Sequence, residues 1–291
     1  MIKRSAALIA VITLLASGMV LTATPEAAEL LVGRVHSSFQ PTDGKVFVLV
    51  IGNDARSGNP LNSRSDAIHI VGINTETMRG GILNFPRDSW VPIPGYGTSK
   101  INEALYHGGP DLLAQTLENM TGIRLDYWVM VGFEDFRNII KGLGGVKVHL
   151  PTAVYDPSGS GARLPAGTHT LGGHQSLAYV RTRHSFGGGD ITRTTNQAGF
   201  LLALLKKLRG EMQKSPAALL RWISITQRYA RYDMSADEML RLGVVASEMK
   251  PRNMGNVTVP VSIGTVGAAS VVFITSSASS VYARFRETGE L

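Results

Sequence analysis

Three apolar runs follow one another closely near the start of the chain: Val46–Gly52 (VFVLVIG), Ala67–Ile73 (AIHIVGI) and Gly81–Phe85 (GILNF). A continuous apolar run bounded by turn residues is a buried strand. Asn74-Thr75-Glu76-Thr77 joins the second run to the third as a hairpin, and Pro86 ends the third. With the first two strands antiparallel, the end of the first, the start of the second and the end of the third share one edge of a sheet. That edge carries Asp54 with Arg56, Arg64 with Asp66, and Arg87 with Asp88. Solvated ion pairs are common and worth little, and they require no such convergence.

The rest of the chain supplies helices for both faces. Pro110–Met120 has an apolar stripe of Leu113, Leu117 and Met120 and ends at Gly122. Asp126–Phe133 is a strand, Glu134–Leu143 a helix closed by Gly144-Gly145, and Val146–Leu150 another strand. Residues 156–172, rich in Gly, Ser and Pro, predict a mobile loop. Gly173–Val180 is a short helix and Ile191–Leu208 a long one with an apolar face, and Ser235 with Glu238 is a capping box. Strands near Val257–Pro260 and Val271–Ile274 complete an α/β fold, an α-β-α sandwich with a mixed central sheet and flanking helices.

Lys3 and Arg4 precede an apolar run from Ala6 to Ala23. At roughly 18 residues it just spans a bilayer and is long for a cleavable signal. Leu21 spoils the best cleavage site, so the expectation is an uncleaved single-pass anchor over residues 1–23, a linker over 24–43 and an extracellular domain over 44–291; the alternative is a secreted protein. A net charge of +7 suits an anionic partner: a phosphorylated substrate, a membrane or nucleic acid. No basic tract with interleaved aromatics occurs, so nucleic acid is not expected. With no cysteine, disulfides, thiolate metal sites and Cys nucleophiles are excluded. Walker, nucleophile-elbow and dinucleotide patterns are also missing; Lys147 stands where the last of these requires glycine.

Carboxylates at strand ends suit a hard cation, so Asp54 and Asp66 are the metal candidates, against the plain alternative that each caps a turn. Arg64, Arg87, Arg181 and Arg183 are the pyrophosphate candidates, because guanidinium forks grip phosphate oxygens bidentately. Arg181 and Arg183, two apart, fall on one side of an extended segment. Arg193 and Gln197 share a face of the long helix. A cation in that helix's first turn makes sense with an anion beside it, whereas Asp190 reads as an N-cap.

The same residues resemble the LytR–CpsA–Psr family of Gram-positive and actinobacterial envelope proteins. The resemblance is carried by Ile51-Gly52-Asn53-Asp54-Ala55-Arg56, Arg64-Ser65-Asp66, Phe85-Pro86-Arg87-Asp88-Ser89-Trp90-Val91, Lys100-Ile101-Asn102 with Gly108-Gly109, Leu143-Gly144-Gly145-Val146, and Ala178-Tyr179-Val180-Arg181-Thr182-Arg183 leading to Asp190, Arg193 and Gln197. It implies an extracytoplasmic phosphotransferase that moves a glycopolymer from a polyprenyl-pyrophosphate carrier onto peptidoglycan as a phosphodiester. It further implies Mg²⁺ (or Mn²⁺) on Asp54 and Asp66, phosphates held by Arg64, Arg87, Arg181, Arg183, Arg193 and Gln197, and the lipid in a hydrophobic channel between sheet and helices. Catalytic roles fall to Arg87, Asp88, Arg181 and Arg183. Either Asp88 or Asp66 takes the acceptor's proton, and water in the acceptor's place gives a pyrophosphatase side activity. Where many members have Arg-Gln-Gln, this chain has Asn196-Gln197-Ala198. That lost cation favours the alternative of a non-catalytic glycolipid-binding module. The older family label, transcriptional attenuator, has no helix-turn-helix signal behind it.

Overall fold

The computed structural model describes residues 43–54, 63–183 and 189–291. The expected anchor, nearly all of the linker, and Arg56 lie outside the described residues, as does the side chain of Asp190. Among the described residues, no helix is long and apolar enough to cross a membrane.

The three apolar runs form β1 (Lys45–Asn53), β2 (Ser65–Asn74) and β3 (Arg79–Asn84), paired antiparallel in sequence order. They are the centre of a six-stranded sheet. β6 (Tyr127–Gly132) runs parallel to β1, and β11 (Arg231–Tyr232) lies antiparallel on its far side. β12 (Met254–Thr258) runs parallel to β3 and closes the other edge.

Alternation along each strand decides what each face receives. Phe47, Leu49, Ile51, Ile68, Ile70 and Leu83 meet α1 (Asn102–Thr121) and α7 (Ala278–Thr288) in the largest core cluster. The opposite face, with Ile73 and Ile82, meets α4 (Gly189–Met212) and the end of α6 (Ala236–Glu248). α5 (Ala217–Tyr229) packs on α6 and the end of α4. The expected capping box is present: Ser235 Oγ accepts from Glu238 N at 3.3 Å, and Glu238 accepts from Ser235 N at 2.7 Å.

The structure corrects three expectations. The helix expected from Pro110 starts eight residues earlier, at Asn102, and is broken at Gly108-Gly109 where Gly109 has φ 69°. Pro110 cannot donate to the preceding turn, so it opens the second half of a kinked helix rather than the whole of it. Val146–Leu150 (β7) is a strand outside the central sheet, paired with β10 (Gly167–Leu171). Its VKVHL sequence alternates buried and exposed, which suits a hairpin laid on helices and not a strand covered on both faces. Residues 156–172 are ordered hairpins rather than a mobile loop. β8 (Val154–Asp156) pairs with β9 (Ala162–Leu164), and their apolar side chains share a cluster with Ile140, Tyr179 and Phe200. The tight turn is held by Asp156, whose carboxylate accepts from Gly159 N and Ser160 N, both at 3.2 Å.

Candidate functional site

The charged edge converges as strand polarity requires. Asp54 follows β1, Asp66 begins β2, and Arg87 and Asp88 follow β3. A bond of 3.4 Å from Asp54 N to Arg64 O holds the two sides of the 54–64 crossing together. β4 (Trp90–Ile93) and β5 (Gly97–Lys100) then form a hairpin that carries the chain into α1. That passage adds Lys100, Asn102 and Glu103 to the edge, fixed by Asn102 N donating to Arg87 O and Ile101 N donating to Ser89 O. The result is a cavity of about 340 Å³ lined by Asp54, Arg64, Arg87, Asp88, Lys100, Asn102 and Glu103.

Three cation–carboxylate pairs frame this cavity. Arg87 pairs with Asp66, Lys100 with Asp88 at 3.1 Å, and Arg64 with Glu103 at 3.5 Å. Glu103 also accepts from Ser99 Oγ. The lining residues thus balance three cations against three carboxylates. A bare polyanion would meet as much repulsion as attraction here. A polyanion that arrives with a divalent cation matches both halves of the lining.

The donor set fits a hard cation, since every candidate ligand is a carboxylate or amide oxygen. Asp54 lines the cavity, whereas the Asp66 carboxylate is engaged by Arg87. Among the described residues, no three His, Asp or Glu side chains group closely enough to hold an ion by themselves. Mg²⁺ does not need them, because one or two carboxylates, waters and substrate phosphates complete its shell.

Behind the cavity lies a buried polar seam between β2 and α4. Gln197 is 8% exposed; its Nε2 donates to Val180 O at 3.2 Å and to Asp66 O at 3.4 Å, tying β2 to the end of α3 (Gly173–Arg181). Its amide therefore braces the backbone rather than reaching into the cavity. Arg193 is also buried, at 3% exposed. His69, fully buried beside them, meets Asn84 Oδ1 at 2.8 Å through Nδ1. Asn84 spends its own Nδ2 hydrogens on Asn256 Oδ1 and Val257 O, so its Oδ1 is an acceptor and His69 carries its proton on Nδ1. Burial pushes the imidazole down to about 4, against the hydrogen bond to Asn84, and the Arg193 charge adds to the lowering.

Arg181 and Arg183 do not line the cavity. Arg181 ends α3 with its guanidinium over the Phe133 ring, 4.6 Å from the centroid. Thr182 turns the chain to an extended conformation, and Arg183 N donates to Asp156 at 3.4 Å. The two arginines are thus divided by a helix end, not aligned along one strand. Through the Gln197 brace, the end of α3 is nevertheless fixed against Asp66. Sequence reasoning assigned no role to Lys100, Asn102, Glu103 or His69. The first three lay in the quoted Lys100-Ile101-Asn102 run and just after it, but no apolar periodicity marked their approach to the edge.

Further along the same strand and helix is a second cavity, of about 200 Å³, with an apolar lining. Val71 and Ile73 of β2, Ile82 of β3, Leu201 and Leu205 of α4, and Trp222 of α5 contribute to it.

A family model described as the LytR_cpsA_psr family matches residues 20–286. The chain belongs to this family. TagT of Bacillus subtilis strain 168, a polyisoprenyl-teichoic acid–peptidoglycan teichoic acid transferase, is 36% identical over 177 residues, covering 58% of this chain and 54% of its own. LcpA of Corynebacterium glutamicum, named a cell wall biosynthesis protein, is 28% identical over an alignment of 303 residues, covering 88% of this chain and 58% of its own. The chain therefore spans a little over half the length of these curated relatives. A solved structure of TagT with bound octaprenyl pyrophosphate lipid superposes with a TM-score of 0.69 at 25% identity, covering 87% of this chain and 93% of that one. The α-β-α sandwich with a mixed sheet is thus the architecture of the LytR_cpsA_psr family.

Proposed function

We propose that this chain is a metal-dependent phosphotransferase of the cell envelope. It moves a glycopolymer from a polyprenyl-pyrophosphate carrier onto a peptidoglycan hydroxyl. The acceptor oxygen attacks the sugar-linked phosphorus, the bridging P–O bond breaks, polyprenyl phosphate leaves and a phosphodiester remains. The observation that carries this reading is the presence of two cavities of opposite character, one at the charged edge lined by three cations and three carboxylates and one between the sheet and α4 with an apolar lining. A ligand with a phosphorylated head and a hydrocarbon tail matches that division. The family membership and the transferase name of TagT support the same chemistry.

In this reading Arg87 and Arg64 grip the phosphates, with Lys100 adding a third positive charge beside them. Preorganised cations aimed at developing charge are what phosphoryl transfer most needs. Asp54 would hold Mg²⁺, or Mn²⁺ in its place, with Asp66 as the second carboxylate. The ion supplies charge neutralisation at the pyrophosphate. Asp88 lines the cavity and Asp66 does not, so Asp88 is the better placed acceptor of the hydroxyl proton. The seam of Gln197 and His69 keeps β2 and α4 in register beneath the phosphates. Residues 1–23 anchor the chain beside its lipid-linked donor.

The test is turnover by the full chain of a polyprenyl-pyrophosphate glycolipid with a peptidoglycan acceptor, followed by release of polyprenyl phosphate. Release that needs a divalent ion, and a raised Mg²⁺ requirement in Asp54→Ala, are the expected results. A donor that is bound and never cleaved would make the chain a glycolipid-binding module instead.

A further inference from the structure

Beside the charged cavity stands a cluster of exposed rings that the chemistry above does not use. Tyr96 and Tyr106 are 53% and 54% exposed. Exposed large side chains in a cluster are more informative than exposed ones scattered singly. Here the rings are arranged. Tyr96 lies nearly parallel to the His107 imidazole, 4.3 Å between centroids and 15° between planes. Tyr106 meets the same imidazole edge-on at 5.4 Å and 72°. One face of Tyr96 therefore rests on His107, and the other is turned to solvent.

The backbone presents this cluster deliberately. Tyr96 sits on the β4–β5 turn between Gly95 and Gly97, which have φ of 77° and 72°. Only glycine adopts that conformation without strain. A Cβ at either position would meet nothing within 4 Å, so both glycines flanking Tyr96 border open space. Tyr106 and His107 come from α1, three and four residues after Glu103. They therefore share a helix face with a residue that lines the cavity, about one turn of 5.4 Å away. β5 likewise carries the turn directly to Lys100, on the cavity wall.

The chemistry of the cluster selects its ligand. It contains no Arg or Lys, so it lacks the guanidinium forks and ammonium groups that line the charged cavity. It is exposed and carries two phenol hydroxyls, whereas a hydrocarbon chain has the apolar cavity beside α4. A pyranose ring offers an apolar face of C–H bonds and a rim of hydroxyl groups. Those C–H bonds suit the electron-rich face of a tyrosine, and the rim suits phenol and imidazole donors. We propose that Tyr96, Tyr106 and His107 form a stacking platform for a pyranose ring of the glycan substrate, placed to deliver its hydroxyl or its phosphate to the neighbouring cavity. The proposal rests on the transfer reading for its biological setting, and its sugar belongs either to the acceptor or to the carried polymer.

The experiment titrates the full chain with a soluble, phosphate-free oligosaccharide of alternating N-acetylglucosamine and N-acetylmuramic acid. Binding is followed by calorimetry and by the His107 ring resonances. Saturable binding that moves the His107 resonances is expected, weakened about 10-fold in Tyr96→Ala and largely kept in Tyr96→Phe. Both variants should keep the parent melting temperature, because the ring is exposed. Turnover then locates the sugar. A raised KM for the acceptor with unchanged donor hydrolysis puts the acceptor on the platform, and a raised KM for the donor puts the carried polymer there. Undiminished glycan binding and unchanged KM values in the double variant Tyr96→Ala/Tyr106→Ala would overturn the platform. The titration needs no turnover, so a failure of the transfer reading leaves this result legible, and active transfer with unaltered glycan affinity sinks the platform alone.

Discussion

The two cavities are built from different elements: the charged one gathers residues at the end of β1, before β2, after β3, at the end of β5 and at the start of α1, whereas the aliphatic one lies chiefly between β2, β3, α4 and α5. At its start β2 contributes Asp66 to the charged edge, and further along it contributes Val71 and Ile73 to an aliphatic wall. α4 begins with Arg193 and Gln197 and continues with Leu201 and Leu205. The charged cavity is made of residues at strand ends and at the start of α1, whose ion pairs contribute little to stability individually. The aliphatic cavity is unfilled core, and its lining is inseparable from the packing of the sheet on α4. In this protein, position along an element decides chemistry more than the type of element does. Substitutions at the strand ends should therefore act on turnover, and substitutions in mid-strand on both binding and folding.

The largest expected effect is at Arg87. Arg87→Ala should lower turnover by about 100-fold or more, the loss of one preorganised electrostatic donor. Arg87→Lys should recover little, since a point charge cannot replace a bidentate fork. Rates and melting temperatures measured on both variants check this; unaltered turnover with a lowered melting temperature would reduce the charged edge to ordinary ion pairing.

Next comes the seam that divides the two regions. His69 is buried neutral, so between its ordinary pKa of 6.5 and about 4 the unfolded chain binds more protons than the folded one. Its contribution is complete above pH 6.5 and is lost as pH falls through about 4. The expected cost between pH 7 and pH 5 is about 2 kcal/mol. Chemical denaturation at both pH values should show it, and His69→Gln should lose most of that dependence while Tyr96→Phe keeps it.

The aliphatic cavity should respond through binding. Val71→Phe fills it, and about a 10-fold rise in KM is expected for a long-chain donor, alongside an overpacking cost of about 1–3 kcal/mol. A KM that rises equally for a short-chain donor would show that the cavity does not hold the hydrocarbon. The smallest effect is a control away from both regions. Ser235→Ala removes a cap and should cost about 1 kcal/mol in a urea melt with no change in turnover.

The sequence revealed the charged edge because a hairpin fixes strand polarity, and polarity alone brings Asp54, Asp66 and Arg87 together. It was silent on Lys100 and Glu103 for a physical reason. They reach the edge through a four-residue strand pair and the half-turns before Gly108-Gly109, too short for either period to show. The VKVHL alternation of β7 did carry the signal of a one-sided strand, but the βαβ succession around it suggested a place in the central sheet. The separation of Arg181 from Arg183 depends on where α3 stops, and helix ends are what sequence patterns define least sharply. His69 was hidden because a lone histidine in an apolar strand is indistinguishable from a solvated one until its partner Asn84 is brought alongside it by the fold.

The division of labour between the two cavities is tested most directly by steady-state kinetics on one matrix: parent, Arg87→Ala and Val71→Phe, each with a two-isoprene and a full-length polyprenyl-pyrophosphate donor. The account predicts that Arg87→Ala lowers kcat by a similar factor for both donors, whereas Val71→Phe raises KM for the long donor alone. Equal responses of the two donors to Val71→Phe, or a kcat untouched by Arg87→Ala, would contradict it.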